Sequence, residues 1–426
     1  MAVILQYVIY FFQGTAKTAL AGAIRSICMN KKNIVSGLIL AFGICTAAGA
    51  ETFEYKFAAG NKYRIVSAVE VDVYFDHQFI DRARKLTRIS IEITDAEEDA
   101  AQINAVYTSS EQREEDTSFQ WEREYTSVFV QDNLGYITID PQYYMPTARN
   151  VPVFPGRDLK EGESWTAAGY EMHDFREAFG IDKPYLIPFE ARYTYLGSRE
   201  WKGKSYPVFS VSYRIFSEPD AVQGRTWPRR IMGGYDQLIY WDPENGHEAA
   251  YYGSFRLIIQ LSNGLTVEQR GRGRGEVAES EIMKKEDIAQ SIADEIARLG
   301  INDASVRIDD EGITINMENI QFQPNSAILL ESEKSKLDKI GEILKQFADR
   351  DILVGGHTAL AGTAAARMKT SQDRAAAVAN YLISRGVRNS SQVVIRGYGA
   401  ERPLADNSTA EGMAKNRRVE ITLLEN

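Results

Sequence analysis

The chain has four histidines, His77, His173, His247 and His357, scattered over 426 residues. None is paired with a second histidine at the spacing that grips a metal ion. His247-Glu248 lacks the second histidine of a zinc-protease helix. No Gly-x-Ser-x-Gly turn presents a nucleophilic serine, and no Walker-type loop cradles a phosphate. Carboxylates are abundant, but no two are marked out as an acid and base pair. These observations point away from an enzyme and away from any cofactor or metal.

Charge narrows the partners. With 49 basic and 59 acidic residues the net charge is −10, which disfavours nucleic acid because phosphate binding needs a basic face. The length exceeds what a single core organises, so two or three domains are expected. Residues 29–50 have the form of a signal peptide. Lys31-Lys32 gives a positive start, an apolar run follows from Ile34 to Ile44, and Ala48-Gly49-Ala50 is a small-x-small cleavage site. Glu51 is then the first mature residue, and residues 1–28 are an over-extended N-terminus. Two rivals fare worse: Met1–Phe12 is too short to span a bilayer, and Cys45 follows a bulky Ile44 where lipidation expects a small residue. Both cysteines, Cys28 and Cys45, precede the cut, so disulfides are not expected to hold the fold.

Residues 51–275 read as β structure. Val69, Val71 and Val73 alternate with Glu70 and Asp72, and Ile89, Ile91 and Ile93 alternate with Ser90 and Glu92, the period of a half-buried strand. Trp201–Lys204, Asn245-Gly246 and Asn263-Gly264 mark hairpins. The Pro-bearing stretch from Tyr143 to Pro188 is expected to be mostly loop. Alternation suits either a transmembrane barrel or a barrel or half-barrel in water; the long Pro-rich interruption and the acidic cluster at Asp95–Asp99 favour the latter. Gly162-Glu163-Ser164-Trp165 and the Trp201 hairpin loosely resemble lipocalin-like half-barrels, which implies a hydrophobic ligand. Gly271–Gly275 reads as a flexible exit into a helix-strand linker module at 276–310, where Ile288, Ile292, Ile296 and Leu299 line one helix face.

From 311 to 426 the pattern is strand, helix, strand, helix, strand, strand, an α+β sandwich. Phe322-Gln323-Pro324-Asn325-Ser326-Ala327, Gly356-His357-Thr358, Ser371-Gln372-Asp373-Arg374-Ala375, Gly397-Tyr398-Gly399 and Asn416-Arg417-Arg418-Val419-Glu420-Ile421 follow one another in order. Together they resemble the OmpA-like, peptidoglycan-associating domain. That resemblance implies noncovalent capture of a diaminopimelate stem peptide, with an Asp after the Gly-His-Thr run accepting the amine and an Arg pairing with the carboxylate. Arg374 stands at the Arg position. Ala359 stands where the Asp belongs, and Arg367 where an Asn is usual. Thr358 and Asn325 fall near contact positions. The fold implication survives these departures, but capture of diaminopimelate should be weak or altered.

Two functions follow. One is a structural envelope protein linking outer-membrane or periplasmic partners, protein or lipid, to peptidoglycan. The other is a periplasmic binding protein for a lipid or other hydrophobic ligand, with a degenerate OmpA-like domain. A packed β interior would favour the first and an internal cavity the second.

Overall fold

The computed structural model describes residues 50–114, 116–221, 225–278, 284–309, 311–318, 320, 322 and 327–424. Residues 1–49, which hold the expected over-extended segment 1–28 and the expected signal peptide apart from Ala50, and Asn325 lie outside them.

Alternating apolar residues build a long antiparallel ladder. Its first four strands are a meander: β1 (Lys62–Phe75), β2 (Gln78–Ala96), β3 (Ala100–Arg113) and β4 (Phe119–Asp132). Two short strands follow, β5 (Ile137–Ile139) and β6 (Ala148–Arg149). Next come β7 (Ser164–His173), the one-turn helix α1 (Arg176–Phe179), β8 (Tyr185–Trp201) and β9 (Lys204–Ser217). Strands β10 (Pro228–Asp242), β11 (His247–Leu261) and β12 (Thr266–Ala278) complete the set. The spatial order is β5-β4-β3-β2-β1-β12-β11-β10-β9-β8-β7-β6, so β1 joins the two halves by pairing with β12 as well as β2.

Of the expected barrel or half-barrel, the closed barrel is not what this sheet forms. Among the described residues no ladder joins β4 and β5 to β6 and β7. The segment facing that gap carries Pro141, Pro146, Pro152 and Pro155, and proline has no N–H to give a ladder. Side chains bridge it instead: Ser127 Oγ donates to the Met145 carbonyl at 2.7 Å, and Tyr125 OH donates to Asp174 at 3.0 Å.

Apolar side chains face inward, where Phe189, Tyr213, Tyr235 and Phe255 stack across neighbouring strands with centroids 3.9, 4.7 and 5.8 Å apart. Charged pairs such as Asp72–Arg82 at 2.6 Å and Lys62–Glu92 at 2.9 Å face out, while Lys85 and Glu171 are buried. This polarity is the reverse of a lipid-facing apolar band. Among the described residues no helix is long and apolar enough to cross a membrane.

The stretch 143–188 is loop over most of its length, as expected, although β7 and the start of β8 lie within it. The inward positions of β7 after Trp165, namely Ala167, Gly169, Glu171 and His173, are too small or too polar to show hydrophobic alternation. One local expectation is corrected: Gly271–Gly275 is not a flexible exit but lies in β12, hydrogen-bonded on both sides. A Cβ on Gly271 would sit 1.9 Å from the Phe255 ring, and one on Gly275 would sit 2.3 Å from the Tyr251 ring. These glycines let aromatic rings of β11 lie flat on the backbone.

Beyond β12 come the helix α2 (Lys285–Arg298) and the strands β13 (Ala304–Ile308) and β14 (Gly312–Met317). They lead to α3 (Glu331–Lys345), β15 (Ile352–Gly356), α4 (Ala364–Ser384), β16 (Val393–Gly397), α5 (Ala410–Asn416) and β17 (Val419–Leu424). The sheet order is β13-β14-β17-β15-β16, with β15 and β16 parallel. Ile292, Leu337, Ile340, Leu344, Val378 and Leu382 bring the helices onto it. Strand β14 ends at Met317. Helix α5 was not anticipated; Thr409 caps it by accepting from Gly412 N at 3.0 Å.

The two sheets touch. The start of β4 pairs in parallel with β16, Val394 opposite Phe119 and Ile395 opposite Gln120. Leu86, Phe119, Leu353 and Val394 form a small apolar cluster there, and Arg88 of β2 forms an ion pair with Asp351.

Candidate functional site

The loops leaving β15 and β16 are tied to one face of α4. Thr363 starts this helix, its side chain accepting from Ala366 N at 3.2 Å. Arg367, Ser371 and Arg374 recur at helical spacing on that face. Ser371 Oγ donates to the Met368 carbonyl at 2.7 Å and accepts from Gly399 N at 2.9 Å. Thr358 N donates to the Gly399 carbonyl at 2.8 Å, which locks the two loops together. Gly356 permits the close approach, since a Cβ there would lie 2.0 Å from the Ser371 carbonyl oxygen.

Beneath these loops is a buried charge cluster. The His357 ring stacks on Tyr398 with centroids 4.7 Å apart, and its Nε2 lies 3.3 Å from Glu420. Glu420 also accepts from Arg307 at 2.9 and 2.8 Å and from Arg418 at 2.8 Å. Burial alone would raise the Glu420 carboxyl, but the polar contacts from His357 and Arg307 and the Arg418 charge outweigh it, holding the group well below the usual carboxylate range. Burial pushes His357 below its ordinary value despite that carboxylate.

The structure brings four of the five singled-out positions to this place: Thr358, Ala359, Arg367 and Arg374. Ala359 is 5% exposed and offers a methyl group where an acceptor was expected. The Thr358 hydroxyl is buried, with no hydrogen-bond partner among the described residues. Arg367 donates through Nη1 to the Gly362 carbonyl, leaving Nε buried without a partner there. The Arg374 guanidinium lies 5.1 Å from the Phe322 ring centroid, and its buried Nε likewise has no partner among the described residues. Asp373 does not neutralise Arg374; it pairs with Lys369 at 2.9 Å.

Burial first, and then the charge of Arg417, pull the Arg374 guanidinium below its ordinary value. Of the neighbouring arginines, Arg418 turns inward to Glu420 at 3% exposure while Arg417 stays partly exposed beside Arg374. Sequence reasoning did not assign Arg417 or Phe322 to the site. The Phe322-Gln323-Pro324 motif and the Arg417-Arg418 doublet were the available signals.

A second gathering of ionisable groups lies inside the N-terminal sheet. Fully buried Glu171 accepts from Tyr235 OH at 2.7 Å and lies 3.3 Å from His173 Nε2.

Residues 321–417 match the OmpA family model, so the chain carries an OmpA family domain at its C-terminal end. The probable lipoprotein YiaD of Escherichia coli K12 is 40% identical over 120 residues, covering 28% of this chain and 54% of its own length. The peptidoglycan-binding protein ArfA of Mycobacterium tuberculosis H37Rv is 36% identical over 104 residues, covering 24% and 32%. The chain thus spans about half of the first relative and a third of the second. A solved peptidoglycan-associated lipoprotein from Burkholderia pseudomallei is 27% identical, with 25% of this chain and 88% of that chain covered and a TM-score of 0.23.

Proposed function

We propose that this protein is a non-enzymatic component of the bacterial envelope that associates with peptidoglycan through its C-terminal domain. In this reading the N-terminal sheet meets a partner at the outer membrane, a protein or the lipid itself. The observation that carries the reading is the OmpA family match over 321–417 together with a partly buried Arg374 that pairs with no carboxylate among the described residues. A mycobacterial relative named for peptidoglycan binding supports it. The stacked aromatic interior of the N-terminal sheet favours a structural role for that region over a hydrophobic-ligand carrier.

The test is sedimentation of the full chain with purified sacculi. Retention in the pellet, reduced in Arg374→Ala, is the expected result. A chain that stays in the supernatant at physiological salt overturns the reading.

A further inference from the structure

The site on α4 has an unusual charge balance. Arg367 and Arg374 are seven residues apart on one helix face, roughly 10 Å along the axis. Arg417 adds a third positive charge beside Arg374. Among the described residues none of the three guanidinium groups pairs with a carboxylate, and Nε of both Arg367 and Arg374 is buried without a partner. Other arginines of the chain have partners: Arg418 has Glu420 and Arg88 has Asp351, while buried Arg149 and Arg388 donate to backbone carbonyls. Arg367, Arg374 and Arg417 are partly buried, and a partly desolvated cation gains from a counter-ion, so this cluster suits an anion from outside.

At Ala359 a free amine meets only a methyl group, and the neighbouring arginine charges repel an ammonium ion. The neighbouring hydroxyl of Thr358, buried and unpartnered, adds a neutral donor, and the Phe322 ring under Arg374 supplies an apolar floor.

We infer that this site binds an amine-free dicarboxylate, one carboxylate held by Arg374 and Arg417 and the other by Arg367, with the connecting carbon chain over Phe322. The inference rests on the wall-association reading for its biological context, and it names the ligand chemistry of that same site. On the wall it corresponds to a stem-peptide segment that presents two acids and no free amine. Planar guanidinium groups suit carboxylates because they donate two parallel hydrogen bonds in a fixed fork.

The probes are pimelate and diaminopimelate, which share a seven-carbon dicarboxylate and differ in two amines, with inorganic phosphate as a third. Each is titrated calorimetrically into the full chain. Pimelate should bind at least tenfold more tightly than diaminopimelate and than phosphate. Arg374→Ala should abolish that binding, and Arg417→Ala should weaken it several-fold, with thermal melts showing that both variants fold. Arg374→Lys, which keeps the charge but loses the fork, should fall between wild type and Arg374→Ala. Equal or tighter binding of diaminopimelate overturns the inference, and so does equal binding of phosphate or no binding of pimelate. The sacculus assay separates the two proposals: a chain that sediments but prefers diaminopimelate keeps the wall reading and loses this one. A chain that binds pimelate but ignores sacculi does the opposite.

Discussion

The guanidinium carbon of Arg396 lies 3.5 Å from the centroid of the Trp121 ring, joining the C-terminal sheet to the N-terminal one through a cation–π contact. On its other side Arg396 lies 4.6 Å from Tyr398, which itself stacks on His357. The N-terminal sheet is therefore in physical continuity with the loops that frame the candidate site. Gln120 of β4 reaches the same helix, where Gln372 donates to it.

This junction should contribute measurably to stability. Asp351→Ala leaves Arg88 largely buried without its carboxylate, and removing one partner of a buried pair costs about 3 kcal/mol. Replacing both by apolar residues should cost much less. Urea denaturation of the two single variants and the double variant gives the coupling; additive losses would show that the pair carries no interaction across the junction.

Acid should loosen the C-terminal domain. His357 is held below its ordinary 6.5 in the fold, so its contribution is full above that value and fades as pH falls. Glu420 is also held below its ordinary value of 4.5, and its larger contribution is lost below that pH. Both shifts act in the same direction, and Tm should fall steadily from pH 7 to pH 3. In Glu420→Gln the protein should be less stable at pH 7, and the further loss on acidification should shrink. An unchanged pH slope in that variant would remove Glu420 from the account.

Ala359→Asp should restore an amine acceptor between Thr358 and the arginine cluster. Diaminopimelate affinity should rise by about ten- to hundredfold, the worth of one charge-assisted contact, while pimelate affinity drops. Arg367→Asn added to it should raise diaminopimelate affinity again, by an amount that is not additive because the two side chains share one pocket. Calorimetric titration of the three proteins checks the order.

Gly271→Ala puts a methyl group into the Phe255 ring, and overpacking of this kind costs about 1–3 kcal/mol. Phe255→Leu in the same chain should recover part of the loss, and thermal unfolding of the pair measures it. A full-size loss in the double variant would mean that strand backbone, not the ring, sets the requirement for glycine.

Much of this molecule is written in local pattern. Period two along Val69–Val73 and Ile89–Ile93 specifies strands because one face of each must leave water. The Asn-Gly pairs at 245 and 263 mark hairpins, and their glycines, Gly246 and Gly264, take a positive φ that few other residues accept. The motifs from Gly356 to Glu420 specify the C-terminal domain, and Ala359 was legible in them as a departure from the family they resemble. Where the local pattern was silent, tertiary contacts decided. Strand β7 could not be read because its inward residues face a partly polar interior, and Gly271–Gly275 looked like a linker because the rings that need those glycines sit on another strand. Asn325, one of the singled-out positions, lies outside the described residues and enters no comparison. The partly exposed Arg417 beside Arg374, and the parallel pairing of β4 with β16, join residues far apart in the chain. Sequence carries no trace of such pairings, since only the packed cores fix which side chains stand within a few ångströms of each other.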